Sequence, residues 1–144
     1  MAKVVQPMVE SWVGQKLQPS SVYGVRLYVF CTLAVEIRAV TFKYELLDRA
    51  CVDRYTQGAT LEPHVDRVET HAASAIINIA QSDPAKTWPL RILDHDGNVH
   101  DVIMQPGEVL LYESARLQHA RPQPLEGEWF ANVFVHFHPP GALY

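Results

Sequence analysis

Three side chains could do chemistry together. His64-Val65-Asp66 follows Tyr55-Thr-Gln-Gly58, and an extended backbone over residues 60–66 would point positions 64 and 66 to one face. An imidazole nitrogen and a carboxylate oxygen from so short a segment can converge on one borderline metal ion. A second histidine would complete the two-histidine, one-carboxylate facial set that suits Fe(II) and leaves three positions open. His119, 53 positions after Asp66 and just past an apolar segment ending at Leu111-Tyr112, is the candidate. Spacing alone does not decide the matter. With seven histidines and seven aspartates in 144 residues, a His-x-Asp pair arises by chance in about one such sequence in three, and some downstream histidine is always available.

Such a site needs a scaffold that brings distant segments together. From residue 53 onward, short apolar segments recur at Ala72–Ala80, Leu90–Leu93, Val99–Met104, Val109–Tyr112 and Trp129–Phe137. Turn-forming residues separate them at 82–84, 94–98, 105–107 and 121–124, and Asp96-Gly97 has the form of a hairpin turn. This spacing predicts an antiparallel β-sandwich or barrel. Upstream, Pro7, Gly14 and Pro19 interrupt any long element, and a short helix is predicted over Val9–Leu17. Val35, Ile37, Ala39 and Thr41 alternate with other residues as in a strand, and Glu45–Cys51 suits a helical turn. The first fifty residues are expected to pack against the β core.

Composition narrows the functional classes. A chain of 144 residues with 48% hydrophobic and 19% charged residues reads as one ordinary globular domain. A net charge of −4 argues against a broad electrostatic grip on nucleic acid. Cys31 and Cys51 are too few for a disulfide scaffold; one bridge between them is open, and two reduced thiols are the plainer reading. The longest apolar run, Leu27–Val35, has nine residues, against the ~20 of a spanning helix. With no visible export signal, the chain is expected to be soluble and cytoplasmic, without membrane partners.

The surroundings of the three residues resemble a known family. Arg54-Tyr55-x-x-Gly58-x-x-Leu61-x-Pro63-His64-x-Asp66 is similar to the first ligand segment of the prolyl 4-hydroxylase-like iron and 2-oxoglutarate dioxygenases. Gln105-Pro-Gly107 through Leu111-Tyr112, then His119, resembles the strand leading to that family's distal histidine, and Pro124–Gly127 with the following apolar segment resembles its closing strand. The resemblance implies a mainly β double-stranded β-helix, or jelly roll, over residues 53–144. Residues 1–52 would form a short α/β support region. His64, Asp66 and His119 would ligate Fe(II), and Tyr55 would touch the cosubstrate 2-oxoglutarate. Dioxygen would be the other co-reactant, with ascorbate as a supporting reductant. The implied reaction hydroxylates a C–H bond of a peptidyl or small-molecule substrate while 2-oxoglutarate is decarboxylated to succinate.

Two departures from the family stand out. Ten positions after His119, where the family carries the lysine or arginine that holds the far carboxylate of 2-oxoglutarate, this chain has Trp129 beside Glu128. Tryptophan cannot form that charge-assisted pair. Arg121, the nearest cation in sequence to the proposed iron, is the first substitute, followed by Arg67 and His71. Upstream, Tyr23–Tyr28 resembles a strand that relatives run almost directly into Gly58, so residues 29–53 read as an insertion. These departures keep an alternative open, a catalytically degenerate jelly-roll binding module that retains a metal site. A cupin-like dioxygenase or isomerase is a third reading, disfavoured because such sites usually recruit more than two histidines. His136-x-His138 reads as structural or solvent-facing, His95 and His100 as exposed, and Asp94–Asn98 as a turn rather than a calcium loop, because Val99 stands where that loop needs glycine. Ser114 lacks the surroundings of a hydrolase nucleophile. Trp88 reads either as a groove-lining ring or as a packing residue.

Overall fold

The structure is a computed structural model that describes residues 2–23, 34–37, 40–43, 53–83 and 86–141. One helix, α1 (Ala2–Val13), precedes β1 (Gln18–Tyr23), β2 (Ala34–Ile37), β3 (Val40–Lys43), β4 (Asp53–Thr56), β5 (Leu61–His64), β6 (Ala73–Gln81), β7 (Leu90–Leu93), β8 (Val99–Val102), β9 (Val109–Tyr112), β10 (His119–Arg121) and β11 (Trp129–His138). The principal sheet runs β1-β11-β6-β9, with β4 also paired to β11. The second runs β5-β10-β7-β8, and all pairings are antiparallel.

Strand β11 organises the principal sheet. Its ten residues pair with β6 along one edge and with β1 and β4 in succession along the other. Both of its faces are covered, so its apolar content is nearly continuous. Val133, Val135 and Phe137 alternate onto one face and join Ala73, Ala75 and Ile77 of β6 beneath α1, where Val5, Val9 and Leu17 complete the cluster. The opposite face belongs to the interior of the roll, where Ile76, Leu90, Ile92, Met104 and Tyr112 pack between the two sheets with Phe134 against them. A third cluster, Trp88, Leu125 and Phe130, fills one end.

Helix α1 starts seven residues earlier than the sequence suggests and contains Pro7. The proline removes one intrahelical bond, that to the Lys3 carbonyl in the exposed first turn. The buried faces of Val5 and Val9 on the sheet outweigh that loss. The helix ends at Gly14, whose φ of 77° lets its N–H reach the Glu10 carbonyl at 2.9 Å.

The β segments predicted at 90–93 and 109–112 coincide with β7 and β9, and Gly97 (φ 83°) turns β7 into β8 as the Asp-Gly pair predicts. Of the insertion reading of 29–53, β2 and β3 pair with each other as a separate two-stranded sheet. Most of the remaining stretch, including the helical turn at 45–51 and both cysteines, lies outside the described residues. Among the described residues no helix is long and apolar enough to cross a membrane.

Phe137 is fully buried between α1 and β6. Phe137→Ala is expected to destabilise the fold by about 3–5 kcal/mol through lost burial and a residual cavity. A urea titration followed by circular dichroism checks this as a lowered midpoint.

Candidate metal centre

The register of two short strands sets the site. β5 and β10 pair so that His64 lies directly opposite His119. Cross-strand neighbours of this kind hold their Cβ atoms about 5 Å apart, and the two imidazole rings stand with centroids 4.3 Å apart. The register shifts by one residue between His119 and Arg121, which pairs with Leu61. Bulges of this sort re-aim side chains beside functional sites. Asp66 follows β5 by two residues, and its backbone N–H donates to the Ser114 carbonyl at 2.9 Å.

The ligand atoms of His64, Asp66 and His119 lie within 4.8 Å of one another. Asp66 Oδ1 is 3.7 Å from His64 Nε2 and 4.0 Å from His119 Nε2. Two donors each about 2.1 Å from one ion stand at most about 4.2 Å apart, so these separations suit a shared ion. The ring tautomers suit it too. His64 Nδ1 donates to the Glu62 carbonyl at 2.7 Å, and His119 Nδ1 donates to the Leu117 carbonyl at 2.9 Å. A carbonyl only accepts, so both protons sit on Nδ1 and both Nε2 lone pairs face Asp66. Outer hydrogen bonds of this kind fix metal-binding imidazoles. Burial, foremost, also lowers the His119 pKa from its ordinary value, which favours the neutral, ligating form.

A cavity of about 750 Å³ opens from these three residues into the roll. Tyr55, Tyr112, Arg121, His71 and His136 line it, with Arg67 at an exposed position. Arg121 is only 2% exposed. Its guanidinium carbon lies 4.4 Å from the Trp88 ring centroid and 4.9 Å from that of Phe130, and Nη1 donates to the Trp88 carbonyl. Nη2 is buried without a hydrogen-bond partner. Burial lowers its pKa to about 10, so the guanidinium remains charged at neutral pH. Burial also raises the Tyr112 pKa, which keeps that phenol protonated as a donor. Tyr55 packs edge-on against Trp88 at 4.9 Å.

The structure thus brings His64, Asp66, His119, Tyr55 and Arg121 to one cavity. Trp129 does not line that cavity; its ring lies 5.5 Å from the Arg54 guanidinium carbon. Trp88 is a packing residue, 2% exposed, with its indole N–H on the Gln123 carbonyl. His95 and His100 are exposed and paired with Glu113 and Asp94, each at 2.6 Å.

Of the two readings of His136-x-His138, structural or solvent-facing, the second needs correction. His138 is buried, and His136 is buried and lines the cavity, so neither faces solvent. His71 is likewise buried at the cavity wall. The available signal for His136 was the two-residue alternation of β11, which sets Phe130, Asn132, Phe134 and His136 on the interior face.

No protein-family model matches the chain, and no curated protein matches it in sequence. Among solved structures it is similar to a Pseudomonas putida prolyl-4-hydroxylase, at 25% identity and a TM-score of 0.54, over 63% of this chain and 51% of that one. It is also similar to AviO1 from Streptomyces viridochromogenes Tue57, at 14% identity and a TM-score of 0.61, over 97% and 59% of the two chains. A third similarity is to the nickel complex of the non-heme monooxygenase ThoJ, at 15% identity and a TM-score of 0.57, over 95% and 50%. The fold is a double-stranded β-helix. The chain spans half to three-fifths of the length of these proteins.

Burial foremost, and then the neighbouring His71, pushes the His136 pKa from 6.5 down to about 4. Between those values the unfolded chain binds a proton that the folded chain refuses, so stability falls as pH drops through the window. Burial shifts His71 and His119 in the same direction. Urea midpoints of the metal-free protein at pH 7, 6 and 5 are expected to decline in that order, and His136→Asn is expected to flatten the decline.

Proposed function

We propose that the chain carries the core of an iron(II)- and 2-oxoglutarate-dependent hydroxylase, acting on a C–H bond of a peptidyl or small-molecule substrate. The observation that carries the reading is the joint presence, in one cavity, of a His64–Asp66–His119 group whose ligand atoms could share a metal ion and a buried guanidinium with an unpaired N–H. The sequence resemblance to the prolyl 4-hydroxylase-like enzymes and the structural similarity to a bacterial prolyl-4-hydroxylase support it.

His64 Nε2, His119 Nε2 and an Asp66 carboxylate oxygen would hold the ferrous ion, leaving positions for cosubstrate and dioxygen. When bound, the ion and its 2-oxo acid supply the oxidising chemistry: one oxygen atom of O2 enters the substrate as hydroxyl, the other enters succinate, and CO2 leaves. The chain's own residues position the partners. Arg121 takes the role that Trp129 leaves open. Its charge lies against two rings and is anchored through Nη1, so Nη2 is preset for the far carboxylate of a dicarboxylic 2-oxo acid. Tyr112 offers an O–H donor to the cosubstrate region, and Tyr55 lines the same wall. The apolar side chains of Ile76, Leu90 and Phe134 limit water in the cavity. Substrate identity and location in the cell rest on the same reading, in which the chain works in the cytoplasm with no nucleic-acid or membrane partner.

Anaerobic addition of Fe(II) and 2-oxoglutarate is expected to produce the weak visible charge-transfer band of the chelate. Folded, iron-loaded protein without that band overturns the reading. A band without succinate formation under air and ascorbate, across peptide and small-molecule substrates, points instead to a degenerate binding module. His64→Ala or Asp66→Ala is expected to abolish the band while the far-ultraviolet spectrum stays that of the folded roll. Arg121→Leu is expected to cost about 2–5 kcal/mol of cosubstrate binding, the range for losing one member of a buried charge pair, or roughly 30-fold at least in the 2-oxoglutarate KM. Arg121→Lys is expected to recover part of the loss.

A further inference from the structure

A second donor set lies in the same cavity. Ring nitrogens of His71 and His136 and a carboxylate oxygen of Asp66 lie within 4.8 Å of one another. Both histidines are buried, 8% and 4% exposed, and both line the cavity. Their rings tilt against each other with centroids 3.9 Å apart. Two adjacent buried imidazoles carry a desolvation cost that apolar side chains of similar size would avoid.

Counting protons fixes the state of His136. Ser114 Oγ donates its one proton to the His71 carbonyl at 2.9 Å, because a carbonyl can only accept. Ser114 Oγ must then accept from Ser74 Oγ across their 2.6 Å contact. The Ser74 proton is thereby used, so Ser74 Oγ must accept from His136 Nδ1 at 2.6 Å. His136 therefore carries its proton on Nδ1, and Nε2 is an acceptor. This is the state that the Glu62 and Leu117 carbonyls impose on His64 and His119. It is also the state in which an outer hydrogen bond readies an imidazole for a metal.

We propose that Asp66, His71 and His136 form a second site for a divalent transition ion of the Zn(II) or Co(II) type, sharing its carboxylate with the first. Two imidazoles and one carboxylate suit such borderline ions, with cavity water completing the shell. Two dications competing for one carboxylate repel each other, so filling either set weakens the other. Excess zinc would therefore oppose loading of the first set. The inference goes beyond the hydroxylase reading and does not depend on it.

Co(II), followed by its visible absorption, is the probe. The His64→Ala/His119→Ala double variant removes both imidazoles of the first set and leaves the second intact. The folded double variant is expected to take up one Co(II) per chain. Adding Ser74→Ala is expected to weaken that uptake about 10- to 100-fold, the range for losing an outer hydrogen bond to a ligand, and adding His136→Ala to weaken it further. A folded double variant that takes up no Co(II), or uptake indifferent to His136→Ala, overturns the proposal. If the double variant does not fold, the wild-type chain decides. At Co(II) concentrations raised until uptake plateaus, which overcomes the mutual repulsion, saturation at two Co(II), falling to one in His71→Ala/His136→Ala, supports the site, and one ion in both overturns it.

Discussion

The register between β5 and β10 is the constraint on which the site depends. It puts His64 opposite His119 across a single strand pair, on the face that meets the cavity. A slip of one residue would turn one imidazole to the far side of the sheet. The strands are only four and three residues long, so their own ladder bonds are few. The register is held from outside, by β7 pairing Ile92 with His119 and by the turn at Gly58. Gly58, at φ 82°, donates to the Leu125 carbonyl, and Leu125 returns a bond to Ala59. A side chain at that φ would strain the turn that delivers β5.

The cavity also concentrates polar groups that an ordinary core would exclude. A charged guanidinium with an unpaired N–H typically costs more than an apolar replacement of similar volume. Arg121 offsets part of that cost through the Trp88 carbonyl and the faces of two aromatic rings. The remaining unsatisfied N–H is the kind of local conflict that natural sequences retain where a ligand resolves it.

The parts of this arrangement legible in the sequence were those with a local signature. β7 and β9 are short apolar runs bounded by turn residues, and they stand where the pattern puts them. Spacing alone left His64, Asp66 and His119 undecided, and only the resemblance of their surroundings singled them out, with Arg121 as the nearest cation in sequence. Pro7 misled because one lost helical bond looks decisive until the buried faces of Val5 and Val9 are known. His71 and His136 were harder still. Sixty-five positions separate them, and only the β6–β11 register, which pairs Ser74 with His136 and Ala73 with Phe137, brings them together. Such convergence is a property of strand pairing and leaves no mark on either segment alone. Trp129 was the opposite case, a missing charge visible at once in the sequence, whose ring in the fold lies against Arg54 and away from the cavity.

Ser114 has a position that no linear reading would single out. Its carbonyl holds the Asp66 backbone, its hydroxyl holds the His71 carbonyl, and through Ser74 it sets the proton on His136. Three polar residues from two segments thus hang from one pivot in the turn after β9. The placement of the carboxylate and of both histidines behind it is thus tied, through four hydrogen bonds, to one backbone turn.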